Sequence, residues 1–245
     1  MIAPAGSVDG IAAALHANGL VLRGGFNFTP GDASTTGPSG GAAAAVLLVG
    51  QAGAAPLPHF LRWWEQQPQA IANPLDTWSR EVIGSVAETF RARAVSPSDT
   101  PYLPFQQWAM RAEGLKPSPL GILMHPHYGL WHAYRGALLF DDELPIQAGE
   151  AAPHLCDSCV EKPCLKSCPV DAYSAQGFAY QSCLAHVRGA SGEPCRNGGC
   201  LDRNACPYGT EYRYPPEVQA FHMASFARAT NWSIPIAVLV GFRAS

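Results

Sequence analysis

Charge is the scarcest property of this sequence. Only 14% of its 245 residues are charged, 16 basic against 19 acidic, for a formal net charge of −3. No block of Lys or Arg stands out, so the electrostatic footprint of a nucleic-acid-binding surface is missing. Long apolar runs are missing too. The longest near the end, "IPIAVLVGF" at 234–242, is too short to cross a bilayer. The opening "MIAPAGSVDGIAAALHANG" has no basic start and is interrupted by Asp9, so it does not read as a secretory signal. The expectation is a cytoplasmic protein with no membrane span. The third absence is local: residues 1–155 contain no cysteine, and all eight lie between 156 and 206. In a reducing compartment that concentration argues for metal ligation over disulfides.

What the sequence does hold is apolar and turn-forming residues: 47% hydrophobic, with 24 Gly and 22 Pro. That suffices for one large domain or two modest ones with many irregular connections. "GSVDGIAAALHANG" predicts a short helix closed by Gly19, "LVLRGGFNF" a strand, and "AAAAVLLVG" a buried strand. "LPHFLRWWEQQ" has helical spacing. "NPLDTWSREVIGSVAETF" predicts another helix, with Asn73 as its cap and Pro74 in its first turn. Trp63, Trp64 and Trp78 fall on helical patterns and read as core. The two strand–helix alternations favour a layered α/β domain. Further on, a helix is expected over 104–113, with bulk from Phe105, Trp108 and Met110. "LGILM" and "YRGALLF" read as neighbouring strands, and 217–229 reads as a late helix. The domain expectation is 1–152 as an α/β cofactor- or partner-binding domain, 153–215 as a cysteine-rich domain, and 216–245 as a C-terminal helix and tail.

The cysteines form two blocks. The first is Cys156-x2-Cys159-x4-Cys164-x3-Cys168-Pro169, and the second is Cys183, Cys195, Cys200 and Cys206-Pro207. A cubane iron–sulphur cluster needs four thiolates around its four irons. In bacterial two-cluster ferredoxins the cysteine before the proline ligates the other cluster. Both blocks here end in Cys-Pro, and eight thiols are what two [4Fe–4S] clusters need. The crossover rule assigns Cys156, Cys159, Cys164 and Cys206 to one cluster, and Cys168, Cys183, Cys195 and Cys200 to the other. Two zinc sites of four cysteines, or a disulfide framework, would also use an even count. The paired Cys-Pro endings stand against zinc, and the missing signal against disulfides. The expected fold is thus an α/β domain followed by a bacterial ferredoxin-like domain with two [4Fe–4S] clusters and a C-terminal helix.

With its N-terminal half included, the chain resembles epoxyqueuosine reductases, a cobalamin-dependent family carrying two [4Fe–4S] clusters. The cysteine order carries the resemblance, over about residues 90–210. The family's proton-donating aspartate, in a Val-Asp-Ser/Thr-x-Pro segment, is matched by Asp99 in "SDTP". "QQWAMRAEGL" is similar to the family's following helix, and "GLWHAYR" to its Gly-Ser-Trp-Phe segment. Where the family reads Gly-Trp-Ile-Gly-Lys, this sequence has "KPSPLGI". The resemblance implies Asp99 as the catalytic residue and cobalamin as a candidate cofactor. Read without it, Asp99 is a cap before the helix at 104.

"HPHYGLWHAYR" at 125–135 gathers His125, His127, His132, Tyr128, Trp131, Tyr134 and Arg135. Such a mixture suits a pocket for a planar cofactor or substrate, with Tyr128, Trp131 and Arg135 as binding residues. It equally suits a polar interface, and a zinc site on His125 and His127 lacks acidic or thiol partners nearby. His154 and His186 are surplus to eight ligands. The functional expectation is an iron–sulphur oxidoreductase whose clusters pass single electrons to a cofactor or small-molecule substrate of the N-terminal domain, with a redox partner protein. The alternatives are an electron carrier docking to a partner reductase, or a zinc-stabilised interaction protein.

Overall fold

The computed structural model describes residues 7–33, 35–67, 71–146, 153–174 and 176–228. They fall into two compact units. One takes the residues up to Leu115 and those from His132 to 146; the other takes Lys116–Trp131 and those from Pro153 onward. The expected boundary near 153 therefore has a second part. The segment 116–131 leaves the first unit because its Leu120, Met124 and Leu130 are buried with Cys156, Cys164 and Cys206.

The first unit opens with α1 (Val8–His16). Ser7 caps it by accepting a hydrogen bond from the Gly10 N–H at 3.2 Å, and Ile11 and Leu15, four apart, are its buried stripe. Then follow β1 (Val21–Asn27) and β2 (Ala45–Ala52). β2 is buried almost throughout, as befits a strand with a neighbour on either side. α2 (Leu57–Trp64) and α3 (Pro74–Phe90) come next, then β3 (Arg93–Val95) and α4 (Phe105–Glu113). After the excursion through β4 (Lys116–Pro117) and β5 (Leu123–Met124), β6 (His132–Phe140) returns to the sheet. The strand order is β1-β2-β6-β3, and every pairing is antiparallel. α3 turns Ile83, Val86 and Phe90 inward and packs on β6 and β3, while α4 packs on β1.

Four local readings are adjusted by the structure. Asn73 holds the N-cap position with Pro74 in the first turn, as expected, but at φ 48° it makes no side-chain capping bond; its carbonyl accepts from the Asp76 and Thr77 N–H groups. "LGILM" does not pair with "YRGALLF". The turn at Gly121 (φ 73°) folds β5 back on β4, whereas β6 lies between β2 and β3. Of the tryptophans, Trp78 is core, but Trp63 and Trp64 are half-buried around Phe60 and the Trp63 indole N–H donates to Glu81. Met110 is exposed on α4.

The second unit continues with α5 (Leu155–Ser158), a 3-10 turn over Pro163–Leu165, and the hairpin β7 (Tyr173–Ser174) and β8 (Gly177–Phe178). α6 (Tyr180–Arg188), α7 (Glu193–Gly198), α8 (Leu201–Asn204) and α9 (Pro216–Arg228) complete it. α9 packs on α6 and α7: Val187, Cys195 and Ala227 share one cluster, and the Arg188 guanidinium donates twice to the Ala227 carbonyl, at 2.7 and 3.1 Å. Among the described residues no helix is long and apolar enough to cross a membrane.

Two glycines of the first unit should respond oppositely to alanine. A Cβ on Gly25 would collide with the Val46 carbonyl oxygen and lie 2.6 Å from a Leu47 methyl, whereas one on Gly84, inside α3, meets nothing within 4 Å. Gly25→Ala is expected to cost about 1–3 kcal/mol by overpacking, and Gly84→Ala to stabilise by about 1 kcal/mol through helix propensity. Urea midpoints at constant slope check both.

Candidate metal centre

The second unit draws the eight thiols into two groups of four. Cys156, Cys159, Cys164 and Cys206 line one small cavity, walled by Met124 and Leu130 from the excursion. Cys168, Cys183, Cys195 and Cys200 are the mutually interacting members of the second group. Each group therefore takes thiols from both cysteine blocks. All eight are free thiols. Among the described residues no three His, Cys, Asp or Glu side chains are placed to share a single metal ion.

Local chain geometry explains the first group. Lys162 takes φ 42° before Pro163, and the 3-10 turn that follows delivers Cys164; the Lys162 ammonium donates to the Cys156 carbonyl at 2.8 Å. On the other side, Gly129 (φ 55°) and Gly209 (φ 65°) let two backbones touch. A Cβ on Gly129 would strike the Tyr208 carbonyl, and one on Gly209 the Tyr128 carbonyl. This close approach holds Leu130 beside Cys206, and only glycine permits it.

Electrostatics within the groups are those of buried, crowded sulphurs. Burial first, then the neighbours Cys206 and Cys164, push the Cys156 thiol up to about 11, with Lys162 opposing. Burial first, then Cys200, Cys168 and Cys195, push Cys183 up to about 11. Cys164, Cys195, Cys200 and Cys206 are also raised, burial being the largest cause in each.

The other expected site residues are divided between the units. In the first, Asp99 and Arg135 line a cavity of about 180 Å³ together with Arg80 and Ser96. The Asp99 carboxylate accepts from the Ser96 N–H at 2.7 Å and from Arg80 at 3.2 and 3.3 Å. It closes the turn at 96–99, whereas α4 begins after Pro104 with no side-chain cap. Arg135 donates to Gln51 at 2.6 Å and lies 4.0 Å from Asp76. In the second unit Tyr128 stacks on His125, 4.1 Å between centroids, with Tyr212 at its edge. Trp131 is wholly buried, covered by the Arg203 guanidinium at 4.4 Å and by Tyr214. The His125 Nδ1 accepts from the His127 and Tyr128 N–H groups, so it is engaged in a turn. His154 and His186 are half-buried.

One polar constellation has no local signature in the sequence. Arg23 on β1, 2% exposed, donates from Nε and Nη2 to the two Glu113 carboxylate oxygens at 2.8 and 3.1 Å. Its Nη1 reaches His132 Nδ1 at 3.2 Å and its Nη2 reaches the Tyr134 hydroxyl at 3.3 Å. Since guanidinium only donates, that His132 nitrogen accepts. Tyr134 donates in turn to Glu113, and burial above all pushes its hydroxyl far above the ordinary tyrosine range. Two of the candidate pocket residues, His132 and Tyr134, are thus parts of a buried ion-pair network.

No protein-family model matches the chain, and no curated protein does. Solved structures do. An epoxyqueuosine reductase bound to an epoxyqueuosine-modified tRNA-Tyr stem loop is 16% identical, with a TM-score of 0.45 over 72% of this chain and 54% of that one. The Streptococcus thermophilus epoxyqueuosine reductase is 17% identical, with a TM-score of 0.46 over 72% and 53%. This chain therefore spans about half the length of the epoxyqueuosine reductases it matches. A C. elegans B12-trafficking protein CblC, a homologue of human MMACHC, is 12% identical, with a TM-score of 0.50 over 92% of this chain and 98% of that one. The last likeness is one of fold.

The network gives a prediction. Glu113→Ala leaves a buried guanidinium without its carboxylate and should cost about 3–5 kcal/mol, while the double exchange Arg23→Met with Glu113→Leu should cost much less. Chemical denaturation of the three proteins checks the difference.

Proposed function

We propose that this protein is an iron–sulphur oxidoreductase. Cys156, Cys159, Cys164 and Cys206 would hold one [4Fe–4S] cluster, and Cys168, Cys183, Cys195 and Cys200 the second. The observation that carries the reading is the crossed grouping of the thiols: the last cysteine of each block lies with the other block's set. Four of them are buried and four half-buried, and all are free of disulfides, which suits soft metal ligands. A single zinc ion asks four thiolates to meet at one point, whereas a cubane gives each thiolate its own iron. When bound, the clusters would supply single electrons to a cofactor or small-molecule substrate of the first unit, fed by a partner redox protein.

The residues of the chain prepare that chemistry. Metal displaces the thiol protons, so the raised thiols are ligands only once iron compensates their burial. Lys162 lowers the cost of negative charge at Cys156. In the first unit Asp99 and Arg135 offer a ligand one carboxylate and one guanidinium. A corrinoid does not fit the cavity they line, whose 180 Å³ falls below the roughly 300–1,000 Å³ of pockets enclosing drug-sized molecules. The fold shared with CblC brings no corrinoid contacts with it.

Anaerobic purification tests the reading. The expected product is brown, with about eight irons and matching sulphide per chain. Cys206→Ala should remove about half of that iron and spare the set that includes Cys168. A colourless zinc protein would overturn the reading. So would a Cys206→Ala protein that keeps the Cys156 set and loses the other.

A further inference from the structure

Deepening that reading, and resting on it, one buried carboxylate lies where the two thiol groups interlock. Asp202, on α8 between Cys200 and Cys206, is 1% exposed. Its Oδ1 accepts from the Ser167 N–H at 3.0 Å, and the neighbouring Cys168 backbone N–H also favours the ionised carboxylate. Ser167 and Cys168 follow directly on the turn that carries Cys164. A single side chain thus ties the stretch between Cys164 and Cys168 to the stretch between Cys200 and Cys206. These are the two stretches across which the groups change over: Cys164 and Cys206 belong to one, Cys168 and Cys200 to the other. The carboxylate's field reaches both, acting on Cys164 in the first group and on Cys183, Cys195 and Cys200 in the second.

A carboxylate withdrawn from water this far is costly, and backbone donors are what make its burial tolerable. An apolar residue at 202 would pack without that cost, so the hydrogen bond from the Ser167 N–H is what the position gains. Nothing in the spacing of the cysteines holds the two blocks in register by itself. The loops between them are long, and α8 and the 163–165 turn are each a single turn.

We propose that Asp202 is a positioning residue for both clusters: its carboxylate pins the Ser167–Cys168 turn to α8 and fixes the register in which the two cysteine blocks exchange ligands. Asparagine keeps an oxygen for the Ser167 N–H, whereas alanine keeps none. The test compares full-length wild-type, Asp202→Asn and Asp202→Ala proteins, purified without oxygen, by iron and sulphide content and by the electron paramagnetic resonance of the reduced state. The expected result is about eight irons and two interacting signals in wild-type and Asp202→Asn, with Asp202→Ala losing half or more of its iron and the interaction. Asp202→Ala with wild-type iron and signals would overturn the pin while leaving the cluster reading standing. Asp202→Asn as poor in iron as Asp202→Ala would also overturn it, because the retained acceptor would then count for nothing. Wild-type protein without iron would overturn the cluster reading and this one with it.

Discussion

Bringing four sulphurs together from two distant stretches of chain is the requirement that shapes the second unit. Thiols repel one another once they give up protons, and burial makes that harder, as the raised values across the two groups show. Among the described residues, two apolar clusters of this unit have cysteines as members, Cys156, Cys164 and Cys206 in one and Cys195 in the other. Its helices before α9 run to nine residues at most. A unit built this way would gain from cross-links, and the proposed metal–sulphur bonds would supply them.

The first unit solves its problem in the ordinary way, with a buried central strand and helices laying apolar stripes against it. Its unusual element is polar. Arg23, Glu113, His132 and Tyr134 bind β1, α4 and β6 through one interior network. The desolvation of each charge in such a network offsets much of the attraction, so its net contribution to stability is small compared with the cost of removing one partner. In a chain with so few charges, placing one of them inside is a commitment to a particular alignment of helix and strand.

Elements governed by short-range rules were legible in the sequence. The helix at 8–16, the strands at 21–27 and 45–52, the helix at 105–113 and the late helix follow from periodicity and punctuation, because a few neighbouring residues decide them. Cysteine spacing likewise points to the division into two thiol groups. What stayed illegible depends on contacts made far along the chain. Arg23 and Glu113 are ninety positions apart, and neither stands in a motif. The two-residue strand at 123–124 looks like part of a longer one until the turn at Gly121 is known. Trp131 reads as a stacking platform from its aromatic surroundings, but Arg203, seventy-two residues later, covers it. Asp202 differs again: it sits among the cysteines, yet only burial distinguishes it from any acidic residue on a short helix.

The chain visits the cysteine-rich unit twice, and the first visit falls between two segments of the sheet-bearing unit. Met124 and Leu130, which wall one thiol group, are encoded before β6, the strand that joins the two halves of the sheet. No single cut can therefore separate the two units with both intact. A gene fragment starting after residue 152 would lack part of the sulphur-bearing unit, and one ending there would carry an orphaned hairpin.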